Sequence, residues 1–394
     1  MESAIQTPPD PIYDPLAPEV IADPYTHYAR LRRHAPVYWH AQLDSWVVTS
    51  YAECRTVLRD SATYASDVRR VGMAIPDAAL SVQSLDDPEH ATVRHLLVSA
   101  LRGQPLDQLA GTVRDVVDAR MSRLGVLVAV DVVAEIARPV ALHTICRLLG
   151  VDPPGGEQFE ALSTAIVRSM DAGLDPGRAE PGTRARQELA DLVNHWIDRS
   201  DGSGMIGWAR THRADSGVSP QVLANSLRAV LHAGYESASR LLGNALLTLA
   251  RTPVPAPLPG AGPALDALVD ELLRLAGPVQ ADARFCVADT SLGGRSLRRG
   301  DVVVVLLGAA NRDPAVFAEP DEIDLTRPPG RHVAFGRGIH ACLGTGIAIL
   351  QLRAVLGHLA GRGLVPQLAG EPVVEPTATL RGLRRLPLVV APAP

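Results

Sequence analysis

The run Phe335-Gly336-Arg337-Gly338-Ile339-His340-Ala341-Cys342-Leu343-Gly344 sets one thiol in a glycine-punctuated loop, directly ahead of an apolar pattern at helical spacing. Glycines at 336, 338 and 344 permit positive φ and let the backbone lie flat against a large planar partner. Ile347, Leu350, Val355, Leu356 and Leu359 supply the helical repeat. The sulfur therefore stands at a helix start, where free N–H groups and the dipole favour a thiolate, the form that binds a metal. Three other readings compete. A lone cysteine is commonly a small buried hydrophobe. Gly336, Gly338 and Ala341 satisfy a dinucleotide fingerprint, but too little chain follows for the βαβ unit that such a site needs. A nucleophilic Cys342 with His340 as base asks for a geometry that near neighbours in sequence rarely reach.

The segment resembles the haem-binding loop of the cytochrome P450 family, Phe-Gly-x-Gly-x-His-x-Cys-x-Gly, and meets every fixed position of it. The resemblance implies that Cys342 is the proximal iron ligand of haem b (iron protoporphyrin IX), that Phe335, Gly336 and Gly344 belong to the cofactor-binding loop, and that His340 bonds a propionate. One position departs from the pattern: bacterial members often carry Arg seven residues beyond the cysteine, and this chain has Ile349.

Three further motifs stand in the family's order. In Asp87-Pro88-Glu89-His90-Ala91-Thr92-Val93-Arg94, His90 and Arg94 fall one turn apart on one helix face, where two donors can clasp carboxylates; a surface capping turn is the plainer reading. The family's matching helix implies propionate contacts for both, and Arg284 matches a third. Glu271 and Arg274, at i and i+3, alone indicate no more than a solvated ion pair. Followed by Asn311-Arg312-Asp313-Pro314 and Phe317-x-x-Pro320-Asp321-x-x-Asp324-x-x-Arg327, they imply by resemblance a buried network of Glu271, Arg274 and Arg327. Ala233-Gly234-Tyr235-Glu236-Ser237 resembles the oxygen-binding groove motif, with Ser where Thr is usual. Gly234 would let backbone approach O2, Ser237 would back-bond to a carbonyl of the preceding turn and distort the helix, and Glu236 would feed protons inward.

The elements that must carry these residues are mostly helices. A helix near 25–34, strands 37–40 and 45–50 and a helix 51–59 precede an irregular stretch, 61–84. Helices are expected at 88–101, 106–124, 135–149, 156–170 and 184–199, and Ser219 to Ala250 reads as one long buried helix opening on Pro220. Five prolines between Thr252 and Pro263 exclude a regular helix there. A helix 264–275, short strands around 284–305 and a coil from 311 to 331 lead to the cysteine loop. The fold class is mainly α with small β-sheets, expected as one domain over 1–394: β-rich portions near 25–50 and 280–310, a helical core near 88–275 and the thiolate loop at 335–344. The resemblance implies a triangular helical prism with haem between the long helix and the cysteine helix.

With 46% hydrophobic and 21% charged residues the chain reads as a soluble globular protein. A net charge of −5 gives no general basic field for nucleic acid. All 38 basic residues are Arg, as in a GC-rich bacterial genome. No apolar stretch approaches a membrane span, and Glu2, Asp10 and nearby prolines do not form a signal peptide, so a cytoplasmic protein, expected to be a monomer, follows. Cys54, Cys146, Cys286 and Cys342 lie far apart, against a disulfide framework or structural zinc. By resemblance the chain is a haem monooxygenase that uses O2 on a small apolar organic substrate, a bacterial secondary-metabolite intermediate at family level. The substrate would be lined by 66–84, 171–183, the long helix and Pro278 to Ala281, with Arg69 and Arg70 as optional anion anchors. No flavin or iron–sulfur segment follows Cys342, so electrons are expected from a separate ferredoxin and ferredoxin reductase, with Arg102, Arg337 and Arg353 near the docking side. Peroxide-driven, coupling or desaturating enzymes of the same fold, and a non-catalytic haem or partner-binding protein, are the alternatives.

Overall fold

The computed structural model describes residues 13–123, 127–253 and 257–393. Helices α1 (Pro18–Ala22) and α2 (Pro24–His34) lead into strands β1 (Val37–His40) and β2 (Ser45–Val48), helix α3 (Tyr51–Arg59) and strand β3 (Tyr64–Ala65). Beyond an irregular stretch come α4 (Glu89–Arg102), α5 (Leu106–Met121), β4 (Val130–Asp131), α6 (Arg138–Leu149), α7 (Gly156–Ser169), α8 (Ala179–Arg199), α9 (Gly204–Ser216), α10 (Pro220–Arg251) and α11 (Gly262–Ala276). Strands β5 (Ala281–Cys286), β6 (Thr290–Leu292), β7 (Arg295–Leu297) and β8 (Val302–Leu306) precede α12 (Leu307–Ala310). After the cysteine loop, α13 (Thr345–Gly361) is followed by β9 (Leu364–Leu368), β10 (Val373–Val374), β11 (Leu383–Arg385) and β12 (Pro387–Pro392).

Local chemistry sets the helix ends. Asp23 accepts from the Tyr25 N–H and Pro24 occupies the first turn of α2, where its missing donor costs nothing. Ser219 accepts from Val222 N–H ahead of Pro220 in the same way, and starts a helix of 32 residues, roughly 48 Å long. Gly150 and Gly217 end α6 and α9 in the left-handed conformation. Helix α10 is buried over most of its circumference and runs through the largest core, packed by α6, α8, α11 and α13. The main sheet has the order β1-β2-β8-β5-β3, with β2 and β8 parallel and Trp46 opposite Val303. A second sheet, β4-β12-β9, joins the segment after α5 to the C-terminal strands.

Several elements differ from the sequence reading. The helix expected at 184–199 begins at Ala179, because Pro181 falls in its first turn, where proline is tolerated. Instead of one helix from 135, a wider π turn at Val133–Ala137 precedes α6. Helix α9, with its glycine-rich start, and strands β9 to β12 have no counterpart in the sequence pattern. The strand expected to reach Ser50 stops at Val48. The end of the helix expected at 106–124, the centre of the proline-rich 252–263 loop and the first 12 residues lie outside the described residues; the described parts of that loop are not helical before Gly262. Among the described residues no helix is long and apolar enough to cross a membrane.

Candidate haem-thiolate site

The loop carrying Cys342 is held from both sides. Gly336 and Gly338 adopt φ values of 65° and 76°, which other residues reach only with strain. A Cβ on Gly338 would stand 2.4 Å from the Leu58 carbonyl oxygen, so the glycine lets this turn rest directly on α3. Gly344 has ordinary φ, against the expectation for all three glycines; it caps α13, and a Cβ there would make ordinary contact with the Cys342 sulfur at 4.0 Å. The Cys342 N–H donates to the Phe335 carbonyl at 2.9 Å and closes the loop. Cys342 is solvent-reachable although protein surrounds most of it, which places its sulfur in a cleft within the fold. Burial pushes this thiol up, partly offset by the Gly344 N–H, the Thr345 hydroxyl and Arg94. The low thiol pKa expected from the helix start alone is therefore corrected: one turn of helix does not outweigh desolvation.

Across the cleft, Arg94 donates from Nη2 to the Ala341 carbonyl at 2.7 Å, tying α4 to the residue before the thiol. The His90 and His340 rings lie 4.4 Å apart. His340 Nε2 meets Asp86 Oδ1 at 2.9 Å, and His90 Nδ1 meets Asp87 at 3.3 Å. The other His90 nitrogen, Nε2, is buried with no partner among the described residues. Arg284 is buried on β5, its Nη1 bonded to Asp282 at 2.8 Å and to the Ala283 carbonyl. Asp86, which the sequence did not single out, is the hub: burial would raise its carboxyl, but His340, the Asp67 and Ser66 N–H groups and Arg70 together bring it down to about 2.

These residues fit a haem. A buried imidazole nitrogen without a partner asks for an acceptor such as a propionate. Cys342 is exposed, and Phe335, Leu343, Ile347 and Ile349 are only partly covered, as expected where an apolar ring system lies against them.

Behind this loop, Glu271 and Arg274 form a bidentate pair at 2.7 and 2.8 Å. Arg327 joins at 3.1 Å, and the Asp324 N–H donates to the same Glu271 oxygen at 2.9 Å. Arg274 further donates to the carbonyls of Asn311, Pro320 and Glu322, so one buried guanidinium gathers the coil 311–327.

On α10, Ser237 Oγ donates to the Ala233 carbonyl at 2.6 Å, while the helix stays continuous from Pro220 to Arg251. A Cβ on Gly234 would meet Ile145 Cδ1 at 2.6 Å, so the glycine also lets α6 approach. Glu236 is paired with Arg240 at 2.8 Å, a partner one turn away that the sequence reading passed over. Burial would raise the Glu236 carboxyl; Arg240 and then His232 overcome that and hold it below the usual range.

The remaining expectations sort by their partners. Arg69 pairs with Asp67 and Glu89, and Arg70 with Asp86 and the Ser61 and Ala62 carbonyls, so neither stands free as an anion anchor. Arg337 donates to the Gly330 and His332 carbonyls and Arg353 pairs with Asp266, whereas Arg102 is exposed.

A model of the family described as Cytochrome P450 matches residues 262–360. Over 392 residues the chain is 31% identical to a beta-dihydromenaquinone-9 omega-hydroxylase of Mycobacterium tuberculosis, covering 96% of this chain and 78% of the relative. It is also 31% identical to a vitamin D(3) 25-hydroxylase of Pseudonocardia autotrophica, covering 94% of each. The crystal structure of CalO2 superposes with a TM-score of 0.85 at 31% identity, covering 96% of this chain and 99% of the other. The thiolate loop, the helical architecture and these near full-length likenesses agree: the chain belongs to the cytochrome P450 family of haem monooxygenases.

Proposed function

We propose that Cys342 ligates the iron of a haem b whose propionates are held by His90, Arg94, Arg284 and His340, and that the enzyme oxidises an apolar organic molecule. The observation that carries this reading is the buried His90 Nε2 without a partner among the described residues, beside an Arg94 already seated on the residue preceding the thiol. Haem supplies the one-electron and O2 chemistry, and a thiolate ligand pushes electron density that favours O–O cleavage. The chain's residues do the rest. The cysteine loop and the Glu271–Arg274–Arg327 network fix the sulfur; Ser237, already donating to Ala233, offers its oxygen as an acceptor; Glu236 holds and passes the proton. Electrons would come from a ferredoxin and its reductase, for which exposed Arg102 offers one positive contact.

An apolar substrate is supported by the half-buried Val68, Val71, Ile75, Leu80 and Val82 and the exposed Met73 between β3 and α4. Two relatives act on a menaquinone and on vitamin D3 by name, which suits such a lining. Cys342→Ser should abolish the red-shifted carbon monoxide band of thiolate ligation; a band kept at its wild-type position overturns the ligand assignment. Ser237→Ala should keep that band and raise the share of reducing equivalents lost as peroxide. An unchanged ratio of oxygen to product would remove Ser237 from proton delivery.

A further inference from the structure

Resting on the proposed role of Glu236, we infer that a polar cavity on the far side of Glu236 is the proton inlet, and that Glu160 on α7 is its outer relay carboxylate. The cavity lies between α6, α7, α10 and β11, and its walls include Arg138, Glu160, Thr164, Glu236, Arg240 and Glu375. It is polar and has room for water, the two conditions under which water occupies an interior space. Exposure grades along it. The side chains of Glu160 and Arg138, paired at 2.7 Å, are 36% and 23% exposed, whereas those of Glu236 and Arg240 are 6% and 8% exposed. One carboxylate therefore meets solvent and the other ends in the core, with the cavity between them.

Each acid in this passage is already held by arginine. Glu160 has Arg138, Glu236 has Arg240, and Glu375 has Arg168 at 2.6 Å and Arg384 at 3.2 Å. Glu375 sits between two guanidiniums and is poorly placed to take up a proton. Glu160 has one, and burial together with the negative charge of Glu236 pushes its carboxyl up despite Arg138. That brings it nearer the pH at which it exchanges protons with water. The step is a transfer only: the Glu160 carboxyl gives its proton to cavity water, that water gives one to a Glu236 carboxylate oxygen, and bulk solvent reprotonates Glu160. Glu236 faces Arg240 in this state, so passing the proton to the Ser237 side requires it to release that arginine. Nothing in the acid–alcohol motif on α10 indicates Glu160, which stands 76 residues earlier in the chain.

The test compares Glu160→Gln, Glu160→Asp, Glu236→Gln and the double variant Glu160→Gln/Glu236→Gln in the haem-loaded protein. Glu160→Gln keeps a bond to Arg138 but carries no exchangeable carboxyl proton. It should lower the product-forming rate by up to roughly 100-fold, the low end for a positioned proton donor, with a larger solvent deuterium isotope effect and more peroxide. Glu160→Asp should recover most of the rate, and the double variant should be no worse than Glu236→Gln, because groups in series are not additive. An independent readout needs no turnover: in the resting ferric protein, removing the Glu160 charge should move the infrared titration of the Glu236 carboxyl to lower pH. If Glu236→Gln uncouples the enzyme while Glu160→Gln changes neither rate, isotope effect nor the infrared titration, the inlet is wrong and Glu236 stands. If neither variant changes coupling, the role of Glu236 fails, and the inlet with it.

Discussion

At the scale of single residues, glycine and arginine decide where the thiol sits. Gly338 is constrained twice, by a left-handed φ and by the Leu58 carbonyl under its missing Cβ. Gly338→Ala should cost more than about 2 kcal/mol, since the conformation alone costs ~1–2 kcal/mol and the backbone contact adds to it. Its haem content per chain should fall with its thermal midpoint; a variant as stable and as red as wild type would show that the loop does not rest on α3. The cysteine, both histidines and the arginines of this site could be named because the segments that carry them resemble the family's motifs. Asp86 could not, although it adjoins Asp87-Pro88, because its role comes from His340, 254 residues away, and from two backbone N–H groups. Gly234 was legible as a required glycine, but its contact with Ile145 was not, since Ile145 comes from another helix.

Among elements, the connection between α7 and α8 is pinned to the turn between β10 and β11. The buried Asp171 carboxylate accepts from the Ala378 N–H, the Thr379 N–H and the Thr379 hydroxyl at 2.7–2.9 Å. Arg178 donates to the Pro376 carbonyl beside it. Asp171→Ala would strand these donors and should lower stability by about 3 kcal/mol, the upper figure for a hydrogen bond to a charged group. Thr379→Val, which removes one donor, should cost less; a urea midpoint unmoved in Asp171→Ala would refute the clamp. Sequence showed a glycine- and proline-rich connection here and nothing of its anchor, because the β10–β11 hairpin is too short to leave a period-2 pattern. Long helices such as α10 were legible, since periodicity accumulates over many turns, whereas α9 was hidden by its weak amphipathicity.

For the whole molecule, a buried histidine and three paired carboxylates make stability fall on acidification. Burial holds His232 below its ordinary 6.5, so on acidification the unfolded chain takes up a proton that the folded one refuses. Burial would raise Glu236, Asp270 and Glu375, but arginine or histidine partners overcome it and leave each lowered. A lowered folded value gives stability that is full above the unfolded carboxylate pKa and lost as pH falls through the folded one. The urea midpoint should therefore be flat near neutrality and fall in two stages, first below pH 6.5 and again below about 4. His232→Phe should shrink the first stage and leave the second; a first stage of unchanged size would show that His232 does not cause it.

Arg94 reaches the cysteine loop across 247 positions of sequence. Translation at roughly 5–20 residues per second leaves an interval of roughly 12–50 s between the two. During that time α4 exists on the ribosome with no sulfur opposite it. Pigmentation must therefore wait out that interval, and any shortage of porphyrin would be felt by a polypeptide whose basic clasp is still waiting to close.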